Sequence, residues 1–570
     1  MLRAVLAFLL LANASVLAQD AVVRTPDGVV RAQDGAVVAR HGMVVAQEAR
    51  AARVGVDVLK GGGNAVDAAV AVGFALAVTH PQAGNLGGGG FMLVYLAERN
   101  ETTAIDYRET APQAITPTTF LDDRGEADAE KSRYSALAVG VPGTVAGLKL
   151  AHERYGSGRF TFAELIQPAL TLARNGFAVE DDLADVLPRV QSRLARWPSS
   201  RLFLRSDGSA LGAGDLLVQA DLAASLDLIA REGPRAFYDG PIGEKIAASV
   251  RAAGGVLSID DLRSYRPVIR PPVRGTYRGD DILSMPPPSA GGTLLVEMLN
   301  VLEGYAVSDA NPGENAHRMA EAMKLAYADR AAFLGDPATV AVPVERLTAK
   351  DYAAKLRAGI GERARRAPSP PGGAAPREGD NTTHFSIVDR FGNAVANTYT
   401  LNFNFGLGLV AEGTGILLNN ELDDFAAKPG VPNAYGLVGS AANAPGPGKR
   451  PLSSMTPTIL LKDGKVVLVT GSPGGSRITT TVLQVITNVL DRRMSIAAAV
   501  AAPRIHHQWL PDEVFAEPGV AADVTRGLRE RGHQVTQAWA WGSANSIMAT
   551  PDGLAGAADP RTRGSFAAGY

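Results

Sequence analysis

The chain has 570 residues, and its 56 Lys and Arg residues nearly balance its 58 Asp and Glu residues, which leaves a formal net charge of -2 at pH 7. This balance argues against a nucleic-acid-binding protein, which usually carries a basic excess, and a content of 46% hydrophobic and 20% charged residues excludes a globally disordered chain. Cys is absent from the sequence, which excludes disulfides, thiol nucleophiles and cysteine metal sites.

Residues 1–18 have the pattern of a secretory signal peptide. Arg3 is the only charged residue before an apolar run from Ala4 to Ala12, and Val16 and Ala18 follow at the spacing that a signal peptidase recognises. We therefore expect cleavage after Ala18, export to a periplasm or to the medium, and no stable membrane anchor. The alternative, an uncleaved anchor, is disfavoured because the apolar run is shorter than the roughly 20 residues that span a bilayer.

The N-terminal part predicts strands and buried helices. Val-rich runs between residues 21 and 47 are interrupted by turn signals such as Asp34-Gly35, and helical spacing follows over residues 48–60. Residues 65–78 predict a buried helix, and residues 91–96 predict a strand. No Lys-Ser or Lys-Thr pair follows the glycines at 87–90, so we interpret them as a site of close backbone packing rather than a phosphate loop.

The middle of the chain, about residues 139–336, predicts mainly helices, because apolar residues recur every 3.6 positions over residues 162–175, 222–232, 242–253 and 316–333. The segment from 367 to 380 is rich in Pro, Gly and charged residues and has no apolar face. It predicts a mobile, exposed loop.

The C-terminal third predicts strand hairpins covered by helices. Polar and apolar residues alternate from His384 to Asp389, and a Phe391-Gly392-Asn393 turn leads into a returning strand that ends at Leu401. A second hairpin turns at Asp463-Gly464, and a Gly-rich turn over residues 471–476 leads into a helix over residues 478–490. This pattern predicts a layered α+β fold.

Common catalytic motifs, such as G-x-S-x-G, H-E-x-x-H and the Walker loop, are missing from the sequence. The adjacent pair His506-His507 is a candidate metal site. Neighbouring strand residues point to opposite faces, and no carboxylate lies at a useful spacing along the chain, so we expect no metal there.

The junction between Asn381 and Thr382 is where the sequence offers catalytic chemistry. If this bond is cut, Thr382 becomes a chain start that carries both a hydroxyl nucleophile and a free α-amine. An α-amine with an ordinary pKa of roughly 7.7–8 can take the hydroxyl proton near neutral pH, so one residue supplies nucleophile and base. The alternative is a loop that simply runs into a Thr-rich strand.

From Thr382 onward the sequence resembles the gamma-glutamyltransferase family of N-terminal-nucleophile hydrolases. The matching segments are TTHFSIVD at 382–389, GNAVA at 392–396, TYTLN at 398–402, GILLNN at 415–420, DDF at 423–425, PLSSMTP at 451–457 and GSPGG at 471–475. Matches upstream are NAVDAA at 64–69, the glycines at 87–89 with Phe91, DYRE at 106–109, GVPG at 140–143 and PPSAGG at 287–292. The resemblance covers essentially the whole chain after the signal segment.

The resemblance implies a four-layer αββα fold of the α+β class, in which two stacked antiparallel sheets lie between helix layers. It also implies a precursor that cuts itself before Thr382 into a large subunit, residues 19–381, and a small catalytic subunit, residues 382–570, which form a heterodimer. The implied reaction transfers the glutamyl group of glutathione, or of another γ-glutamyl compound, to water or to an amino-acid or peptide acceptor. No cofactor, metal or nucleic acid is implied.

The family's catalytic roles fall on four positions of this sequence. Thr382 is implied to form a γ-glutamyl ester, and the Thr400 hydroxyl to assist it from the returning strand. Gly474 and Gly475 are implied to donate backbone N–H groups to the oxyanion, from a turn that precedes a predicted helix. The residues alone also allow a surface strand Thr at 400 and an ordinary tight turn at the glycines.

The implied glutamyl pocket needs both signs of charge, because this group ends in an α-amino acid. Arg108 is implied to bind the α-carboxylate together with Ser453 and Ser454, a task that suits a bidentate guanidinium. The residues implied to bind the α-ammonium are Asn402, Glu421 and Asp424. Position 421 carries Glu where bacterial members of the family often have Gln. Taken alone, Arg108 and Asp424 are typical of solvated surface charges.

Residues 428–438 resemble the family's lid loop, in which Tyr435 would reach Asn402 and limit the entry of water. An ordinary Gly/Pro-rich loop is the alternative. Two other functions stay open: an acylase of the same fold with a cephalosporin or glutaryl preference, and an uncut, non-catalytic secreted relative that binds ligands.

Overall fold

The computed structural model describes residues 23–24, 30–32, 34–307, 310–367 and 382–570. The predicted signal segment, residues 368–380 of the predicted loop, and Asn381 lie outside the described residues. Within the described ranges, no helix combines the length and the apolar character needed to cross a membrane.

The strands of the described residues are β1 Val23–Arg24, β2 Val30–Arg31, β3 Val37–Ala39, β4 Met43–Ala46, β5 Gly89–Leu96, β6 Glu101–Tyr107, β7 Phe177–Ala178, β8 Leu216–Leu217, β9 Val268–Arg270, β10 Val273–Tyr277, β11 Asp280–Ser284, β12 Thr382–Val388, β13 Ala394–Thr400, β14 Val410–Ala411, β15 Ile416–Leu417, β16 Thr458–Lys462, β17 Lys465–Thr470, β18 Ile505–His506, β19 Val514–Ala516, β20 Val535–Gln537, β21 Ser546–Thr550, β22 Gly553–Ala557 and β23 Phe566–Gly569.

The helices are α1 Ala49–Lys60, α2 Ala65–Thr79, α3 Ala129–Arg133, α4 Thr144–Tyr155, α5 Phe162–Asn175, α6 Asp181–Ala195, α7 Ala220–Glu232, α8 Arg235–Tyr238, α9 Pro241–Ala252, α10 Ile259–Ser264, α11 Gly291–Glu303, α12 Pro312–Phe333, α13 Val344–Leu347, α14 Lys350–Ala358, α15 Ile478–Leu490, α16 Ile496–Ala501 and α17 Ala522–Glu530. Short 3-10 helices include Glu421–Asp424 and Gly475–Arg477. The predicted helices and hairpins are confirmed, two of them, α5 and α15, with the predicted bounds.

Two large antiparallel sheets form the centre of the molecule. One has nine described strands in the order β1-β2-β3-β22-β21-β17-β16-β11-β10, and the other has seven in the order β23-β4-β12-β13-β5-β6-β9. In both sheets, groups of strands that precede residue 382 alternate with groups of strands that follow it. For example, β4, which precedes residue 382, lies between β23 and β12, which follow it.

Three apolar cores hold the layers together. One core lies between the seven-stranded sheet and helices that include α1, α2 and α5. A second lies between the nine-stranded sheet and helices that include α11, α12 and α15. The third joins the two sheets, with Phe91 and Leu93 from one and Ile459 and Val469 from the other. The order helix, sheet, sheet, helix confirms the predicted αββα fold.

Strand β12 is buried along its whole length because both of its faces are covered. Phe385 and Ile387 pack into the core beneath the helices. His384 and Ser386 point to the other side, where the Ser386 hydroxyl donates to the Asn545 carbonyl at 2.8 Å. The polar positions of this strand therefore face the second sheet rather than solvent.

The glycines at 87–90 are a site of close backbone packing, as predicted. A Cβ on Gly87 would lie 2.0 Å from the Leu417 carbonyl oxygen, and one on Gly88 would lie 2.1 Å from the Thr400 carbonyl oxygen. Only a residue without a side chain allows these approaches. The glycines thus let the segment before β5 lie directly against the end of β13, which carries Thr400.

Candidate active site

The hairpin of β12 and β13 places two threonine hydroxyls side by side. Thr382 and Thr400 are opposite each other in the antiparallel register, and the Thr382 hydroxyl donates to Oγ1 of Thr400 at 3.3 Å. The backbone N–H of Asn402 also donates to this oxygen, at 2.9 Å. Thr400 is therefore held by the backbone while it faces Thr382. Asn381, on the other side of the predicted cleavage bond, lies outside the described residues.

The turn at Gly474 and Gly475 requires glycine at both positions. Their φ angles are 129° and 54°, which side chains rarely adopt. A Cβ on Gly475 would also lie 2.5 Å from Cδ1 of Tyr435. The turn runs into the 3-10 helix Gly475–Arg477 and then into α15, so free backbone N–H groups and the positive end of a helix dipole are available here.

Arg108 is fully buried and joins three parts of the chain. Its Nε donates to the Pro451 carbonyl at 3.1 Å. One terminal nitrogen donates to Glu421 and the other to Asp424. A third carboxylate, that of Glu109, lies 3.7 Å from the guanidinium. One cation is thus surrounded by three carboxyl groups in a region that excludes water.

This arrangement shifts the pKa of each group. Burial raises the pKa of Glu421 well above its ordinary value and also raises that of Asp424, although the nearby guanidinium acts to lower both. Burial raises the pKa of Glu109 to about 7. For Arg108, burial lowers the pKa but the carboxylates outweigh it, so the net shift is upward. The guanidinium stays charged, and burial favours the neutral form of the carboxyl groups around it.

Ser453 and Ser454 lie on the segment that follows Pro451, whose carbonyl accepts from Arg108. The backbone N–H of Ser453 donates to the Pro288 carbonyl at 2.9 Å, and its Oγ accepts from Met455 N–H at 3.0 Å. The bond to Pro288 fixes the serine segment against the loop before α11. Both serines line the same space as Arg108.

Tyr435 lies across this space and bonds to Asn402 on its far side. The phenol donates to Oδ1 of Asn402 at 2.6 Å and also lies 3.0 Å from its carbonyl oxygen. Asn402 in turn donates to the Asn420 carbonyl at 2.9 Å. The contact that the resemblance implied between Tyr435 and Asn402 is present, and Tyr435 is buried.

A cavity connects these groups. It is lined by Arg108, Thr382, Thr400, Asn402, Glu421, Asp424, Tyr435, Leu437, Ser453, Ser454, Met455, Gly475, Ser476 and Ile478. The structure therefore brings to one cavity every described residue that the resemblance assigns to the site, except Gly474, which precedes Gly475 in the chain. Four lining residues were missed: Leu437, Met455, Ser476 and Ile478. Each lies within three residues of a predicted one, so chain proximity was the available signal.

A buried histidine cluster lies apart from the cavity. Nδ1 of His317, on α12, and Nε2 of His533 are 2.8 Å apart, and Glu321 is close enough to complete a group that could hold a cation. Nζ of Lys324 lies 3.2 Å from Glu321. The two imidazoles are thus hydrogen-bonded to each other, and the carboxylate already has a cationic partner.

The expectation for His506 and His507 needs one correction. The chain folds back over residues 508–513, so Oδ1 of Asp512 lies 3.3 Å from Nε2 of His507. A carboxylate is therefore close to this histidine, although the sequence spacing argued against one. The two side chains do point to different partners, since Nε2 of His506 bonds to Gln508 at 2.9 Å.

Comparison with known proteins finds one matching family model and similar proteins. The family model "Gamma-glutamyltranspeptidase" matches residues 51–569. The chain is 53% identical over 529 residues to the glutathione hydrolase proenzyme of Escherichia coli K12, covering 92% of this chain and 91% of that protein.

Two solved structures extend the comparison. The cephalosporin acylase of Bacillus halodurans superimposes with a TM-score of 0.82 at 28% identity, covering 94% of this chain and 97% of that one. The gamma-glutamyltranspeptidase of Helicobacter pylori gives a TM-score of 0.53 at 44% identity, covering 55% of this chain and 89% of that one.

Proposed function

The chain belongs to the gamma-glutamyltranspeptidase family, and from this premise we propose that it is a self-processing glutathione hydrolase and gamma-glutamyltransferase whose nucleophile is Thr382. The observation that carries the proposal is the single cavity in which Thr382, a buried guanidinium and two carboxylates converge. These are the groups that a γ-glutamyl amide needs: a nucleophile at one end and a binding site for a zwitterion at the other.

The first step is self-cleavage of the bond between Asn381 and Thr382. The Thr382 hydroxyl attacks the Asn381 carbonyl carbon, the C–N bond breaks, and the acyl group moves from nitrogen to oxygen. Water then hydrolyses this ester, which leaves a carboxylate on Asn381 and a free α-amine on Thr382. The products are a large subunit, residues 19–381, and a small subunit, residues 382–570, in a heterodimer.

The free enzyme then acts on a γ-glutamyl amide such as glutathione. The Thr382 amine accepts the hydroxyl proton as the oxygen attacks the γ-carbonyl carbon. The Thr400 hydroxyl, 3.3 Å away, accepts from Thr382 in the structure and, once that proton is on the amine, donates to the attacking oxygen. Backbone N–H groups of Gly474 and Gly475 stabilise the oxyanion. The amine product leaves with a proton from Thr382, and water or the amine of an amino acid or peptide takes the glutamyl group from the ester.

Recognition of the substrate is an exchange of ion pairs. In the structure, Arg108 bonds to Glu421 and Asp424. An incoming α-carboxylate takes their place at the guanidinium, supported by Ser453 and Ser454. The carboxylates that it releases then bind the α-ammonium together with Asn402. The buried charges are compensated both before and after binding, which limits the cost of desolvation.

A related acylase activity is the second candidate, and the similarity to the Bacillus cephalosporin acylase over almost the whole chain favours it. A glutaryl group carries a carboxylate but no α-ammonium, so it would leave Glu421 and Asp424 without a cation once Arg108 is engaged. We therefore expect γ-glutamyl-p-nitroanilide to be hydrolysed far faster than glutaryl-p-nitroanilide. The reverse order would favour the acylase.

Denaturing gels of the unmodified protein and two variants test the mechanism. We expect two fragments from the unmodified protein and from Thr382→Ser, which keeps a hydroxyl group. Thr382→Ala should remain a single band close to the 59.4 kDa of the whole chain, slightly less after removal of the signal segment, and should be inactive. A single unbroken chain that hydrolyses glutathione would refute the proposal.

Export to a periplasm or the medium rests on the signal pattern alone, and N-terminal sequencing for a start at Gln19 tests it.

A further inference from the structure

Gln508 is a buried residue outside the cavity, and its amide group reaches two segments that line the cavity. The amide oxygen lies 2.7 Å from the Ser476 hydroxyl and 2.9 Å from Nε2 of His506. The amide nitrogen donates to the Tyr435 carbonyl at 3.1 Å and to the Leu510 carbonyl at 3.3 Å. Both ends of the amide are therefore in use, each with two partners.

The orientation of this amide follows from its partners. Two backbone carbonyls can only accept hydrogen bonds, so the NH₂ group must face Tyr435 and Leu510. The oxygen then faces Ser476 and His506, which both donate. His506 is neutral, because burial lowers its pKa well below the ordinary value, and its Nδ1 lies 2.8 Å from the Thr480 hydroxyl. Flipping the amide would place carbonyl oxygens against each other.

Gln508 joins Tyr435, in the loop of residues 428–438, to Ser476, which follows the turn at Gly474 and Gly475. Tyr435 is fixed at its phenol by Asn402 and at its backbone by Gln508. Its ring packs directly on Gly475, whose Cα has no room for a side chain there. Ser476 is the next residue, and its carbonyl also accepts from the Tyr327 phenol. Gln508 therefore holds the lid and the turn in a fixed relative position.

We propose that Gln508 is a positioning residue that keeps Tyr435 closed over the glutamyl pocket. This inference rests on the proposed function. Gln508 touches neither the substrate pocket nor the reacting atoms, so it acts through Tyr435 and Ser476. A lid that is held at one end only should bind the γ-glutamyl donor less tightly. It should also admit more water, which raises the share of the ester that is hydrolysed rather than passed to an acceptor.

The test uses the mature enzyme with γ-glutamyl-p-nitroanilide, with and without glycylglycine as acceptor. Gln508→Met keeps the side-chain size and removes all four hydrogen bonds, and we expect KM for the donor to rise roughly tenfold, as for the loss of a buried hydrogen bond. Gln508→Asn, which is shorter but stays polar, should shift KM in the same direction. If the Met variant does not fold, the KM of the Asn variant tests whether Gln508 positions Tyr435.

Gln484 provides the matched control. It is a buried glutamine of α15 whose amide bonds only to backbone groups, those of Thr480 and Ile505. Gln484→Met should leave KM and the ratio of hydrolysis to transfer unchanged. A rise in KM equal to that of Gln508→Met would overturn the proposal, because it would show a general effect of losing a buried amide.

A double-mutant cycle separates positioning from a purely structural role. If Gln508 acts through the lid, Gln508→Met should raise KM little or not at all in a Tyr435→Ala background. Full additivity of the two changes would overturn the proposal. A failure of the proposed function would look different, because the unmodified protein itself would then stay uncut or would not release p-nitroaniline.

Discussion

Replacing Arg108 by Lys tests how the substrate carboxylate is bound. The substitution keeps the positive charge but replaces a planar fork of five N–H donors with a single ammonium group. Arg108 reaches Pro451, Glu421 and Asp424 through three different nitrogen atoms. One ammonium nitrogen cannot reach all three. It can give an α-carboxylate only one strong hydrogen bond in place of two parallel ones.

The size of the effect follows from that lost bond. A hydrogen bond to a charged group contributes about 1.5–3 kcal/mol, which corresponds to a roughly 10- to 150-fold rise in KM. Turnover should change by no more than about threefold, because the change lies at the end of the substrate that does not react. Self-cleavage should proceed, since it does not involve the glutamyl pocket.

The assay compares KM and kcat for γ-glutamyl-p-nitroanilide in the Arg108→Lys enzyme and in Arg561→Lys. Arg561 is largely buried and pairs with Glu517 and Asp559, but it does not line the cavity. We expect the control to lose stability without a change in KM. An unchanged KM in Arg108→Lys, or an equal rise in the control, would refute the assignment of Arg108 as the carboxylate anchor.

Three further predictions follow from the site. Thr400→Val removes the oxygen that lies 3.3 Å from the Thr382 hydroxyl, and we expect kcat to fall about tenfold or more with little change in KM; a normal kcat would remove Thr400 from the mechanism. Gly475→Ala forces a φ of 54° on a residue with a side chain and places a Cβ 2.5 Å from Cδ1 of Tyr435, so kcat should fall sharply. Gly464→Ala has a similar φ of 71°, but its Cβ would meet only the Asn100 side chain, at 3.4 Å, so it should only lower the melting temperature. Glu109 has a pKa raised by burial to about 7, so the folded protein retains a proton that the unfolded chain releases at lower pH, and this residue's contribution to stability is lost as the pH rises toward and through 7. Glu109→Gln should therefore flatten the fall in melting temperature between pH 5 and pH 8, and parallel profiles of the two proteins would contradict the shift.

The nucleophile hairpin could be predicted from the sequence because its signals are local. Polar and apolar residues alternate over His384–Asp389, a turn follows at Gly392, and a second strand-like run returns. These signals predict a hairpin, and its observed register places Thr382 opposite Thr400. The sequence did not indicate that all of β12 is buried. That depends on a second sheet whose strands lie far away in the chain.

The electrostatics of the site could not be predicted, because they depend on contacts between distant residues. Arg108 and Asp424 are 316 residues apart, and in isolation each is typical of a solvated surface. The same holds for Gln508, which reaches Tyr435 across 73 residues, and for Asp512, which approaches His507 only because the chain folds back. The motif resemblance indicated which residues line the pocket. It did not indicate that Arg108 bonds to Glu421 and Asp424 in the absence of a substrate.

The interleaved strands of the two sheets have a consequence for the refolding of the mature enzyme. A cut before Thr382 leaves two polypeptides that are joined in both sheets by hydrogen-bond ladders, and β4 is paired on both sides by strands of the other piece. Pulling them apart would expose bare strand edges on both, which invites aggregation. The uncut chain is thus the species that can assemble this architecture unaided, and a molecule that is melted after maturation must rebuild it by a bimolecular encounter. Heat inactivation should accordingly become irreversible once processing has occurred.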